Sequence, residues 1–263
     1  MRYVYDHGLH IHSGLSLCSG DPEQTPARIL DYAKEKGLTT ICLTDHFWDE
    51  RIPGPSDWYA RQDFAHIAAA RPLPQAEGIR FLFGCETEMD RNMRLAISRE
   101  RFDSFDFVIV PTTHFHMEGL TRPSEISTPR QKADYWMARL NALMDMDLPF
   151  RKIGVAHLTC TLIERDRDKW LETLRLLDED ALRRVMARAA ERGVGIELNA
   201  DDMHAFADDE ADLVLRPYRI AREMGCRFYC GTDAHHPAAP TRITLRSSRT
   251  RSRSSRGRSI CWA

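Results

Sequence analysis

Tyr3–His12 reads YVYDHGLHIH. A short apolar run bounded by turn residues reads as a β-strand, and this one ends in two histidines two residues apart. Residues at that spacing on a strand point to one face, so His10 and His12 can reach a common point. The same kind of ending recurs down the chain. Thr39–His46 (TTICLTDH) closes on Asp45-His46, and Ile79–Met89 (IRFLFGCETEM) carries Glu86 and then Glu88. Phe105–His114 (FDFVIVPTTH) closes on His114, with His116 beyond it, and Lys152–Thr159 (KIGVAHLT) contains His157. Gly195–Ala200 (GIELNA) holds Glu197 and Asn199, and Cys226–His235 (CRFYCGTDAH) closes on Asp233 and His235, followed by His236.

Helical patterns separate several of these strands. Thr25–Lys36 opens on a Thr-Pro start signal and stops before Gly37. Arg130–Asp145 and Asp180–Arg192 repeat apolar residues every three or four positions, and Asp180–Arg192 and Asp209–Met224 each stop at a glycine. Pro53–Gly78 is broken by Pro and Gly, with a weak helix inside. Seven strands alternating with helices predict an α/β fold with a parallel sheet. Polar residues at nearly every strand end favour a closed barrel over an open sheet with one switch point.

Eight of the eleven histidines fall at or near those strand ends, with acids interleaved. Imidazole and carboxylate are ligands for zinc, manganese or iron, and so many converging on one rim imply more than one ion. His7, His66 and His204 fall outside the pattern and read as surface or structural residues. Cys226-x-x-x-Cys230 has the wrong spacing for a zinc knuckle.

His10-Ile11-His12, Thr44-Asp45-His46, Gly84-Cys85-Glu86, His114, Ala156-His157 and Gly231-Thr232-Asp233-Ala234-His235 together resemble the ordered motifs of the PHP (polymerase and histidinol phosphatase) superfamily. The resemblance spans residues 5 to 237. It implies a distorted seven-stranded (βα) TIM-like barrel with two to three divalent ions. By that similarity, His10, His12, Glu86 and Asp233 hold one ion, and Glu86 bridges to a second held by His114 and His157. His46 and His235 hold a third. Family members often place one more ligand of the third ion six residues after the HxH pair, where this chain has Cys18. A thiolate can substitute there, or Cys18 is a plain buried cysteine. Glu86 and Asp233 are the expected catalytic carboxylates, with Asp45 orienting a ligand from behind.

Closely spaced divalent ions activate water near neutral pH and clamp the oxygens of an in-line displacement, which is phosphoester chemistry. Arg91, Arg94, Arg122 and Arg130 are candidates to complete a phosphate clamp. The leading reading is hydrolysis of a small phosphomonoester, resembling histidinol phosphatase. A phosphodiesterase or nuclease on short nucleotides and a catalytically impaired metal-binding barrel remain as alternatives. Neither a Gly-rich phosphate loop nor a nucleophile elbow occurs in the sequence.

The 263 residues carry 37 basic and 39 acidic side chains, a net charge of −2. Seven of the arginines lie in residues 241–263, which hold no acid. Without them the body is strongly acidic, which weighs against long nucleic acids as partners. That stretch, TRITLRSSRTRSRSSRGRSICWA, is set apart from a barrel over residues 1–240. It reads as a solvated basic tail, a nucleic-acid-binding arm, or an out-of-frame replacement of the natural C-terminus. The last is preferred, and all three predict no packed contribution. No run approaches the roughly 20 apolar residues of a membrane span. The start MRYVYDHGLHIH lacks the apolar region of a signal peptide. Seven scattered cysteines add to the expectation of a cytoplasmic protein.

Overall fold

The computed structural model describes residues 5–200, 202–204 and 206–237. The expectation for residues 241–263 lies outside them. Eight strands form: β1 (His7–Ile11), β2 (Thr40–Leu43), β3 (His46–Phe47), β4 (Arg80–Thr87), β5 (Phe107–Pro111), β6 (Ile153–Ala156), β7 (Gly195–Asn199) and β8 (Arg227–Gly231). The helices are α1 (Pro26–Lys36), α2 (Phe64–Ala68), α3 (Pro129–Asp145), α4 (Arg167–Arg175), α5 (Glu179–Arg192), α6 (Ala211–Val214) and α7 (Arg216–Glu223). No helix among the described residues is long and apolar enough to cross a membrane.

Every strand pair is parallel, in the order β1-β2-β4-β5-β6-β7-β8. The short β3 continues the path of β2 and pairs with β4. The ring closes at its upper edge, where Thr232 N and Asp233 N donate to His10 O at 3.1 and 2.9 Å and His12 N donates to Ala234 O at 3.1 Å. Lower down, the ring of His7 takes the place of a backbone acceptor and receives the Cys230 amide at 3.0 Å. This is the nearly closed seven-stranded barrel the sequence predicts.

Leu9, Phe107, Ile109, Ala156 and Tyr229 plug the barrel. A Cβ on Gly154 would lie 2.5 Å from the Tyr229 ring, so the absence of a side chain there makes room for the plug. The larger apolar cluster lies between the strands and α3, α5 and α7, while α1 packs Ile29, Leu30 and Ala33 on β1 and β2. Local signals set the helix ends. Thr25 caps α1 by accepting from Arg28 N, and Gly37 ends it at φ 69; Thr128 and Gln131 form a capping box on α3.

Some expectations fail locally. The single helix over Asp209–Met224 is instead a 3₁₀ turn (Asp208–Glu210), α6 and α7. Pro217 lacks the amide a continuous helix needs, so the chain restarts there. The strands predicted over Phe105–His114, Lys152–Thr159 and Cys226–His235 end at Pro111, Ala156 and Gly231, leaving His114, His157, Asp233 and His235 in the loops beyond.

Candidate metal centre

β1 delivers His10 and His12 to the barrel mouth with both rings fully buried and their Nε2 atoms 3.1 Å apart. Glu86 rises between them from the end of β4. His157 follows β6 and Asp233 lies just past β8, and both take left-handed backbone, φ 58 and 52. That conformation is disfavoured for residues with a Cβ and is retained where surrounding bonds impose it. Here the His157 amide donates to Glu197 Oε2 at 3.3 Å, its carbonyl accepts from Thr113 Oγ1, and the Asp233 amide is held by His10 O. The turn after each strand thereby aims both side chains inward.

Glu86 divides the cluster. Its Oε2 faces His46 Nδ1, His12 Nε2 and His10 Nε2 at 3.0, 3.3 and 3.5 Å. Its Oε1 faces His157 Nε2 and His114 Nε2 at 3.6 and 4.0 Å. Asp233 repeats the division: Oδ1 lies 3.0 Å from His12 and 3.3 Å from His10, and Oδ2 lies 3.4 Å from His157. His235 stacks on His12 with ring centroids 4.1 Å apart, beside His46. The donor atoms thus form the groups His10–His12–Glu86–Asp233, Glu86–His114–His157 and His12–His46–His235.

The residues present fit divalent ions. Both oxygens of Glu86, Asp233 Oδ1, His46 Nδ1 and His235 Nε2 are buried without a hydrogen-bond partner. Burying carboxylate oxygens unpaired costs several kcal/mol unless a cation compensates. Ligand atoms about 2.1 Å from one ion lie roughly 3.0–3.4 Å from each other at right-angled to tetrahedral geometry, which is the spacing most of these atoms adopt.

The outer nitrogens settle the tautomers. A carboxylate only accepts, so the contact of His10 Nδ1 with Glu197 Oε1 at 2.7 Å places a proton on Nδ1 and turns Nε2 inward as the nitrogen that would ligate an ion. Glu88 Oε1 does the same for His114 at 2.7 Å, and it also accepts from Tyr59 Oη at 2.8 Å. His235 Nδ1 donates to the Asp233 carbonyl at 2.7 Å. His12 Nδ1 lies 2.9 Å from Ser16 Oγ, which itself donates to Asp45 Oδ1 at 2.8 Å. Gly231 makes the Glu197 contact possible, since a Cβ there would lie 2.0 Å from Glu197 Oε1.

The electrostatics agree. Burial works against a charge on His10, yet the Glu197, Asp233 and Glu86 carboxylates prevail and raise it to about 10. Burial also works against ionised Glu86, but His10 and His46 hold it well below the usual carboxylate range. His235 goes the other way, pushed down to about 3 by burial and by His12. Around His10 the carboxylates therefore outweigh burial and create a negative potential suited to cations.

The other candidates fall as follows. Asp45 does not face the cluster. It accepts from the Ser13 amide, Ser13 Oγ and Ser16 Oγ at 2.7, 2.7 and 2.8 Å and so stands behind His12 through Ser16. Cys18 is exposed rather than buried; it lines the cavity in front of the cluster, as His46 does, and acts on that imidazole electrostatically. None of the four arginines lines that cavity. Arg122 is spent on the carbonyls of Phe115, Pro123 and Ile126 and on Glu118, and Arg94 on Pro53 O and Asp90. Arg91 bonds Gly119 O, and Arg130 bonds Asp134 and Leu176 O. Loop carbonyls competing for guanidinium donors leave no trace in a sequence pattern. Arg165 reaches His116 electrostatically without lining the cavity. His66 is structural as expected, with Nε2 2.7 Å from Leu15 O.

Sequence reasoning placed Glu88 and Glu197 at strand ends without a role, and it missed Ser16 and Asp202, whose Oδ2 lies 3.6 Å from His157 Nδ1. The signal for Glu88 was its spacing of two from Glu86. We expect Glu197→Gln, which keeps the shape but removes the charge behind His10, to weaken metal affinity about 10- to 100-fold. Competition with a chromogenic chelator measures this, and unchanged affinity would show that Glu197 does not tune the ligand.

The sequence matches the family described as PHP domain over residues 8–201. No match is found among curated proteins. Among solved structures, the fold is similar to histidinol phosphate phosphatase from Lactococcus lactis, complexed with zinc, L-histidinol and phosphate. The TM-score is 0.59 at 17% identity, over 89% of this chain and 88% of that one. It is likewise similar to a protein described as a candidate histidinol phosphatase from Listeria monocytogenes, with TM-score 0.58 at 14% identity, over 88% and 96% of the two chains. At these identities the likeness is one of fold.

Proposed function

The chain belongs to the PHP domain family, a family of metal-dependent hydrolases, and from its site we propose that it hydrolyses a small phosphomonoester. The observation that carries this reading is a cavity of about 520 Å³ that ends directly on Glu86, His114, His157, Asp233, His46 and His235. Such a volume suits a small molecule. Its floor is the divided carboxylate cluster.

In this reading His10, His12, Glu86 and Asp233 hold one divalent ion, and Glu86, His114 and His157 a second. His46 and His235 hold a third, with Cys18 within reach of the same imidazole. Zinc, manganese and iron all suit this donor set. When bound, the ions supply Lewis acidity and an activated water at neutral pH. The protein contributes the rest. Glu86 and Asp233 each turn one oxygen to either side, which fixes the spacing of the two halves. Glu197, Glu88 and the Asp45–Ser16 pair hold the Nδ1 side of His10, His114 and His12 and so aim each Nε2 inward. His116, at the mouth, is placed to hydrogen-bond a phosphate oxygen.

The similarity to histidinol phosphatases makes histidinol phosphate the first substrate to test. A diesterase acting on nucleotides with a second phosphate finds less support, because no lysine or arginine lines the cavity among the described residues. A panel of phosphomonoesters, 3′,5′-bisphosphonucleosides and phosphodiesters on metal-reconstituted protein decides between them. We expect phosphate release from monoesters at a kcat/KM at least about tenfold above the others, a difference of roughly 1.4 kcal/mol in activation free energy. Faster turnover of the diesters would overturn the reading.

A further inference from the structure

The cavity has a wall that phosphate chemistry does not use. Trp58, Met117 and Leu120 line it and pack together on Trp48, Tyr59 and Ala96 as an apolar cluster separate from the main core. All three are half-buried, so apolar surface faces the space directly above the ionic floor. The Trp58 ring is held by its neighbours. It meets His46 edge-on at a centroid distance of 5.2 Å, and Tyr59 at 4.7 Å with the planes at 90°. A ring fixed this way can pack against a ligand in the cavity at little cost in conformational freedom.

The charged groups narrow the ligand further. No lysine or arginine among the described residues lines the cavity to meet a second anion. Beyond the cluster itself, the lining carboxylate is Glu118, and Arg122 already pairs with it at 2.7 Å. Glu118 is exposed and can accept from a second donor beside Arg122, so it neither requires nor excludes a cationic group on the alcohol. A hydrophilic alcohol would leave the apolar wall wet, whereas an apolar one recovers about 25 cal/mol for each Å² it covers.

We infer that the alcohol part of the substrate carries an aromatic or similarly flat apolar group seated on Trp58, Met117 and Leu120. The inference rests on the phosphomonoesterase reading for its phosphate end. Trp58 is then the residue that sets specificity.

Calorimetric titration of metal-reconstituted protein with 3-phenylpropylphosphonate and with propylphosphonate tests the wall without requiring turnover. Hydrolysis of 2-phenylethyl phosphate against glycerol 1-phosphate, whose leaving groups are comparable, tests the phosphatase reading alongside. We expect the phenyl group to tighten binding about tenfold, equivalent to about 1.4 kcal/mol. Trp58→Ala should bring the ratio of the two affinities close to one, and Trp58→Phe should preserve most of it. The ratio cancels any loss common to both ligands. A ratio near one in the wild type, a ratio unchanged in Trp58→Ala, or no binding of either phosphonate would overturn the inference. A phenyl gain with no hydrolysis of either ester would sustain the wall and defeat the phosphatase reading instead.

Discussion

Glu86→Gln is expected to lower kcat by about 10³-fold or more, the scale on which removing a charge aimed at the reacting centre acts. The carboxylate is fully buried, and neither oxygen has a hydrogen-bond partner. Its two oxygens face different groups of imidazoles. An amide keeps the shape but loses the charge and one of the two acceptors, so both halves of the cluster suffer together. Elemental analysis of the variant should show fewer ions per chain than the wild type. Cys18→Ala is the comparison, because that thiol is exposed and touches the cluster only through His46. It should retain a substantial fraction of activity. Equal residual activity in the two variants would contradict the assignment of Glu86.

The second large effect is on stability. Arg139 on α3 is completely buried and donates to four backbone carbonyls: Thr112 O at 2.9 Å, Asp90 O at 3.2 Å, Thr121 O at 2.7 Å and Met89 O at 2.8 Å. Those carbonyls belong to the loops after β4 and β5, which carry Glu88 and His114. Arg139→Met fills similar volume but strands four acceptors that helped tie the loops together. The expected destabilisation is about 3–5 kcal/mol. For a chain of this size that is a fall in Tm of about 10 °C. Thermal and urea unfolding measure it, and a change below about 1 kcal/mol, the scale of an average substitution, would show that water or neighbouring groups replace the guanidinium.

The barrel and its cluster were legible for one reason. Ligands must sit where parallel strands end, so period-two pairs such as His10/His12 and Asp233/His235 recur at the C-terminal end of apolar runs. A strand that must be apolar on both faces and polar only at its tip is hard to mistake. The parts that were not legible depend on what one side chain meets across the fold. α4 is nine residues long and buries only Trp170, Thr173 and Leu174, too few to show a periodicity. Arg122 and Arg94 read as free cations until loop carbonyls are placed beside them. Glu197 reads as one more strand-end acid, and only the space left by Gly231 shows that it grips His10. Cys18 occupies a position where the family resemblance implies a ligand, but its loop leaves it at the mouth, against His46. Trp58 lies in a Pro- and Gly-broken stretch with no pattern at all, and its position follows from packing on Tyr59 and Trp48.

In this reading the strand-end cluster holds divalent ions that the chain uses to cleave phosphoesters. Phosphate release from a phosphomonoester panel, measured on one preparation before chelation, after chelation and after metal is restored, tests it most directly. Release should disappear with the metal and return with zinc, manganese or iron. Release that continues undiminished once the protein holds less than one ion per chain would contradict it.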